Sequence, residues 1–264
     1  MLNKSTLLIL VLTLSSLALA QKTQLVQMPP EAVRSQSTTA CDVTYSSGTS
    51  TTQTKFCVTA NGNITQFSVA TEEMIDVGTV LEGYGFCDEN SGTAYYDWAD
   101  FDSGNWQAAT FKHSGNVITV TRETTDGIWQ LTQTITNVAA SSTGFGSAKV
   151  AMKLKNLSGV SRSAILYRYA DVDATGTTTN DFDNTGTSTY GLVSFQHGLS
   201  LTNNTFNNNY GYFTFFQNTP APPNTCSPSA ANGPFVGDGS IAALWSFTLG
   251  PGGTGSVVAT YKGI

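Results

Sequence analysis

The chain is poor in charge, in histidine and in helical periodicity, and each shortage narrows what it can be. Charged residues are 11% of its 264 residues, against roughly 25% in an ordinary globular protein. Solubility must rest on the hydroxyls and amides of Ser, Thr and Asn, a composition that suits strands and turns and is common in exported bacterial proteins. There are two histidines, His113 and His197, without H-x-H or H-x-x-x-H spacing, so a metal site built on imidazole is not indicated. Each sits at a strand end, where a surface position is expected rather than a catalytic base. No G-x-S-x-G nucleophile elbow occurs, and no cysteine pair has the C-x-x-C spacing of zinc or redox sites. Twelve basic residues against 18 acidic ones leave a net charge of -6 and a pI near 4.7, which argues against nucleic acid or anionic membrane as partners.

The N-terminus has what the remainder lacks. MLNKSTLLILVLTLSSLALA contains one lysine, an apolar run from Leu7 to Leu12, and Ala18-Leu19-Ala20 before Gln21. That is the pattern of a secretory signal peptide over residues 1–20. No later run approaches the roughly 20 apolar residues of a bilayer span, so a secreted, extracellular or periplasmic product is expected. Residues 21–40, with Pro29-Pro30 and no sustained period, are expected to form a flexible leader. Residues 41–264 are expected to form one domain. Four cysteines are an even number in an exported chain, so disulfides are the natural reading. CDVTYSSGTSTTQTKFC folds symmetrically about its Ser/Gly/Thr centre, which favours Cys41–Cys57. Cys87 then ties down Cys226.

Beyond Cys41 the dominant period is two. Val150, Met152 and Leu154 alternate with Lys149, Lys153 and Lys155, which is a half-buried strand. Trp129, Leu131 and Ile135 share one face of their segment, and Ile241, Ala243, Trp245, Phe247 and Leu249 share another. Turn signals such as Asp126-Gly127 and Ser114-Gly115-Asn116 separate the runs. The best helical candidate, TEEMIDVGTVLEG, is short and broken by Gly78. Ten or more strands joined mostly by hairpins predict an all-β, two-sheet antiparallel sandwich, with a closed barrel as the alternative.

Three loops stand apart: 87–106, 171–188 and the Pro-rich 218–240, which is expected to cover a sheet edge or end. Nine of the 18 acids fall in the first two. Asp171, Asp173, Thr175 and Gly176 match the opening of a calcium loop, while Phe182 stands where its closing glutamate belongs. Asp181 and Asp183 flank that position, so Asp171, Asp173, Thr175, Asp181 and Asp183 form a candidate calcium set, with a solvated loop of Asx-turn aspartates as the plainer alternative. In the first loop Tyr95, Tyr96, Trp98 and Trp106 interleave with Asp97. Aromatic faces beside carboxylates are what a sugar-binding cleft uses, and core packing is the plainer alternative. Were the chain a glycoside hydrolase, Asp100 and Asp173 would be the candidate acid and base, provided the two loops converge. Arg168, on an apolar strand face, needs a carboxylate, expected from the acidic loops.

ALWSFTLGPGGTGSVVATYKG looks like the last two strands of exported bacterial β-sandwich domains. Together with IWQLTQTIT and VAMKLKNLSGVSRSAILYRYADVD, it resembles the large super-sandwich of galactose-mutarotase-like and related carbohydrate-active proteins. That resemblance implies a two-sheet fold and a carbohydrate connection. It carries no catalytic residue over, because the histidine and glutamate set of mutarotases has no motif match at His113 or His197. The expectation is a secreted, non-enzymatic sandwich that binds a glycan or another surface component with calcium as a candidate stabiliser. A carboxylate-based carbohydrate-active enzyme and a structural matrix protein are the alternatives.

Overall fold

The computed structural model describes residues 38–75, 79, 81–194, 197–205, 210–231 and 233–264. The segment expected to be a signal peptide, and nearly all of the one expected to be a leader, therefore lie outside the described residues. Among those described there is no α-helix, and the strands form three antiparallel sheets. The smallest contains β1 (Val43–Ser47), β2 (Thr54–Val58), β3 (Ile64–Val69) and β4 (Glu72–Glu73) in chain order. Of the segment weighed as a helix, residues 72–73 form β4 and residues 81–83 belong to the next strand, β5 (Leu81–Asp88), while residues 76–78 and 80 lie outside the described residues.

The sandwich consists of the other two sheets. With β6 (Thr93–Ala99), β11 (Arg162–Asp171), β15 (Gly211–Gln217) and β17 (Ser240–Leu249), β5 forms a five-stranded sheet of order β15-β17-β11-β5-β6. Facing it are β7 (Thr110–Ser114), β8 (Val117–Glu123), β9 (Trp129–Val138), β10 (Ser147–Asn156), β12 (Asn180–Asn184), β13 (Ser188–Val193), β14 (His197–Asn203), β16 (Phe235–Gly237) and β18 (Thr254–Gly263). These nine run in the order β16-β12-β13-β14-β18-β10-β9-β8-β7. The period-two pattern explains the layering. Leu131 and Ile135 of β9, Val150, Met152 and Leu154 of β10, and Val257, Ala259 and Tyr261 of β18 are all buried in one core with Leu166, Trp245 and Phe247 of the opposite sheet. Polar atoms that enter this layer find partners across it: Trp245 Nε1 donates to Asn203 Oδ1 (3.0 Å), and the Tyr261 hydroxyl donates to the Tyr169 carbonyl (3.0 Å).

β5 breaks the alternation because all eight of its residues are buried. Its inner face meets the nine-stranded sheet. Its outer face lies under the Pro-rich loop, which the Cys87–Cys226 disulfide and the Tyr169 hydroxyl, donating to the Pro220 carbonyl, pin in place. Gly83 is required here: a Cβ would sit 1.9 Å from the Asp97 carbonyl oxygen, beside the register shift between β5 and β6. The second disulfide, Cys41–Cys57, joins β2 to the residues just before β1. Both pairings are those expected from the sequence.

Candidate functional site

Buried acids are costly unless something compensates them. Asp97 of β6 is fully buried and meets Arg122 of β8 at 2.6 Å, bridging the two main sheets. Asn61 Nδ2 donates to the same carboxylate at 2.9 Å, Arg122 also reaches the Tyr84 hydroxyl at 3.1 Å, and Asp102 lies 3.8 Å from the guanidinium. Burial pushes the Asp97 carboxyl up to about 6 despite the opposing pull of Arg122. Deeper in, Arg168 of β11 contacts Glu82 of β5 at 2.5 Å, Gln133 Oε1 of β9 at 2.6 Å and the Gly62 carbonyl at 3.3 Å. Ile64 N donates to Glu82 at 2.5 Å. Burial raises Glu82 to about 7, with Arg168 pulling the other way. The carboxylate that satisfies Arg168 thus comes from the all-buried strand, not from the acidic loops.

These contacts correct the sugar-cleft reading of the first loop. Tyr95, Trp98 and Trp106 are at most 1% exposed and Asp97 not at all. Trp106 lies beneath the Arg122 guanidinium (5.0 Å) and edge-on to Tyr84 and Phe86, while Trp98 stacks on half-buried Tyr96 at 5.7 Å. Their ring faces are taken by the protein's own side chains, so the core alternative describes them.

A different set of acids is left uncompensated. At the end of β11, Asp171 and Asp173 point into a cavity of about 350 Å³ together with Asp238, which lies between β16 and β17. One carboxylate oxygen from each lies within 4.8 Å of the other two. Asp171 and Asp173 are 5% and 2% exposed, and the Oδ1 atom of each has no hydrogen-bond partner. Burial first, then the negative charges of Asp173 and Asp238, drive Asp171 up to about 9. Burial and Asp238 raise Asp173 to about 6. The backbone holds the arrangement: Val172 N donates to the Gly239 carbonyl, Asp173 N to the Met74 carbonyl, and Asp171 is in register with Ser240.

All three loops singled out in the sequence contribute to this cavity. Phe101 comes from the first, Asp171, Asp173 and Thr178 from the second, and Pro220, Ala221, Pro222 and Asp238 from the third; Leu81 and Thr79 complete the lining. The convergence is not through the residues named as acid and base, because Phe101, not Asp100, brings the first loop to Asp173. Thr175 occupies the 3-10 turn Ala174–Gly176 with φ 60, and the threonine on the cavity is Thr178. Asp181 and Asp183 sit on β12 to either side of buried Phe182. Asp183 accepts from Asn184 N at 2.8 Å and from the Tyr190 hydroxyl at 3.5 Å. Asp238 was missed because Gly237-Asp238-Gly239 reads as an ordinary turn. Its only signal was its place in the third loop.

Physically, the cluster suits a hard divalent cation. Calcium binds oxygens at roughly 2.4 Å, so two of its ligands lie no more than about 4.8 Å apart, and the three carboxylates meet that limit. The apolar wall of Leu81, Phe101, Pro220 and Pro222 leaves room for a second, organic occupant.

No protein-family model matches the chain, and no curated protein matches it. Solved structures do. A bacterial glucoamylase complexed with acarbose superposes with a TM-score of 0.59 at 9% identity, covering 86% of this chain and 32% of that one. This chain thus spans about a third of the glucoamylase, and the likeness shows the fold alone. A heparan sulfate lyase from Pedobacter heparinus aligns at TM-score 0.46 and 10% identity, over 83% of this chain and 34% of that one. A protein of Escherichia coli K12 provisionally assigned as an aldose 1-epimerase aligns at TM-score 0.43 and 9% identity, over 84% of this chain and 99% of that one.

Proposed function

We propose that this chain is an extracytoplasmic, non-catalytic β-sandwich that holds a calcium ion at Asp171, Asp173 and Asp238 and binds a carbohydrate in the cavity above it. The observation that carries the reading is the pair of buried, unpartnered carboxylate oxygens of Asp171 and Asp173 facing Asp238. Three acids without a base are unfavourable in their charged form until a cation joins them. The signal sequence and two disulfides fit an oxidising compartment. A calcium ion with open coordination positions can take sugar hydroxyls, while Phe101, Leu81, Pro220 and Pro222 offer apolar surface to pyranose C–H groups.

The test is a glycan-array screen of the purified protein with calcium and with EDTA, followed by titration calorimetry on each hit. Binding that disappears in EDTA and in Asp171→Asn is expected. A chain that binds calcium but no glycan would lose the carbohydrate half of the reading. Release of reducing sugar from a bound glycan, abolished in Asp173→Asn, would overturn the non-catalytic half.

A further inference from the structure

The charge of the whole molecule conceals a local reversal. Strands β14, β18, β10 and β9 are neighbours in the nine-stranded sheet, and none of their residues is Asp or Glu. They nevertheless carry half of the chain's eight lysines: Lys149, Lys153 and Lys155 on β10, and Lys262 on β18. All four alternate with buried core residues and so point away from the sandwich interior; Lys149, Lys153 and Lys262 are exposed and Lys155 is half-buried. Lys262 is in register with Ser147, which places the four in one stripe. At about 3.4 Å per residue that stripe is roughly 27 Å long. None of the four forms an ion pair among the described residues. Glu123 of β8, on the same row, lies two strands away from Lys155 and accepts from Gln130 Nε2 at 2.7 Å.

Between Lys149 and Lys153 the stripe dips. Ala151 is too short to fill the row, and residues 204–205, just beyond β14, lie against β18, where Asn204 N donates to the Val258 carbonyl at 2.8 Å and Val258 N donates to the Thr205 hydroxyl at 2.6 Å. The result is a groove of about 460 Å³ with Ala151 and Val258 as its floor and Lys153, Thr132, Thr134, Thr205 and Ser256 around it. The groove lies on the outer face of the nine-stranded sheet, separate from the carboxylate cavity, and shares no lining residue with it.

We propose that this groove and its lysine stripe bind an acidic polysaccharide. A row of cations on an otherwise anionic protein selects an extended ligand with anionic groups repeated along its length. The small apolar floor accommodates a pyranose C–H face, and the ring of hydroxyls matches sugar hydroxyls. Nucleic acid fits less well, because no outward residue of β9, β10 or β18 is aromatic and able to stack a base. Carboxylate and sulfate groups would satisfy the lysines alike, so both chemistries are tested. The site stands independently of the calcium reading.

The experiment is biolayer interferometry of the full protein in EDTA against immobilised polygalacturonate, dextran sulfate and neutral amylose. Duplex DNA and phosphatidylglycerol vesicles are run in parallel. The proposal expects binding to polygalacturonate, dextran sulfate or both, none to amylose, and marked weakening as NaCl rises from about 0.05 to 0.5 M. Lys149→Gln/Lys153→Gln, with an unchanged melting temperature, should weaken binding by about tenfold or more, and Lys153→Arg should retain it. Failure of both acidic polysaccharides to bind overturns the proposal, as does undiminished binding in the double variant. Equal or tighter binding of DNA or vesicles through the same lysines would replace the polysaccharide with that partner. Because chelator is present throughout, loss of the calcium reading leaves this result unchanged.

Discussion

The molecule buries acids in two ways. Around Arg122 and Arg168, the carboxylates of Asp97 and Glu82 are met by guanidinium groups at 2.6 and 2.5 Å and by the Asn61 side-chain amide and the Ile64 backbone N–H. At the end of β11, Asp171 and Asp173 are also buried, but among the described residues neither forms an ion pair with a basic group, and the acid beside them is Asp238. Desolvation raises the proton affinity of both groups. Only at the first does the protein provide the compensating charge. The comparison teaches that burial alone does not mark a functional acid: a paired one stitches sheets together, and an unpaired one requires something from solution.

The comparison breaks most severely on the paired side. Arg168→Met strands Glu82 in the core and should cost about 3–5 kcal/mol in chemical denaturation, whereas Arg168→Met/Glu82→Leu should recover most of the loss. Recovery separates a structural pair from a functional one, since the cavity carboxylates remain intact in both variants. On the unpaired side, calcium at a hundredfold its dissociation constant should add about 2.7 kcal/mol. Asp171→Asn should remove that gain without lowering stability in chelator, because Asp171 forms no ion pair among the described residues for the change to break.

Acidity sharpens the contrast further. Glu82 is raised from 4.5 to about 7 and Asp97 from 3.8 to about 6, so the folded protein binds more protons than the unfolded chain in those windows. Their contribution is fully present below the unfolded values and is lost as pH rises through the folded ones. In chelator the melting temperature should therefore fall between pH 4 and pH 7, with Asp171→Asn keeping this part of the slope. A melting temperature that climbs steadily over that interval would contradict the assigned environments. The smallest effect is expected at Asp183→Asn, whose partners are a strand neighbour and Tyr190. It should change stability by no more than about 0.5 kcal/mol and leave calcium binding intact.

The two regions were also unequally legible in the sequence. Alternation along β9, β10 and β18 and in the second half of β17 made the sandwich readable, since a period of two has one physical interpretation when the odd face is polar. The disulfides followed from local symmetry and from parity. β5 was not readable, because LEGYGFCD is buried on both faces and its glycines answer to the Asp97 carbonyl and the Tyr96 side chain, which lie beside it only in the fold. The partner of Arg168 was hidden for the same reason. At the candidate site, Asp171 and Asp173 were visible as a calcium-like opening, yet linear spacing pointed onward to Asp181 and Asp183. The chain instead completes the cluster with Asp238, more than sixty residues later, through β11–β17 pairing. The aromatics of the first loop misled because a ring that stacks on sugar and one that fills a core are the same residue until its exposure is known.

The central claim is that Asp171, Asp173 and Asp238 form a cation site and the other acids of these loops do not. Titration calorimetry with calcium chloride on the chelator-treated protein and on Asp238→Asn and Asp183→Asn tests it most directly. One equivalent of calcium bound by the native protein and by Asp183→Asn, and lost in Asp238→Asn, is the predicted result. Absence of binding to the native protein, or binding that survives Asp238→Asn unchanged, would contradict it.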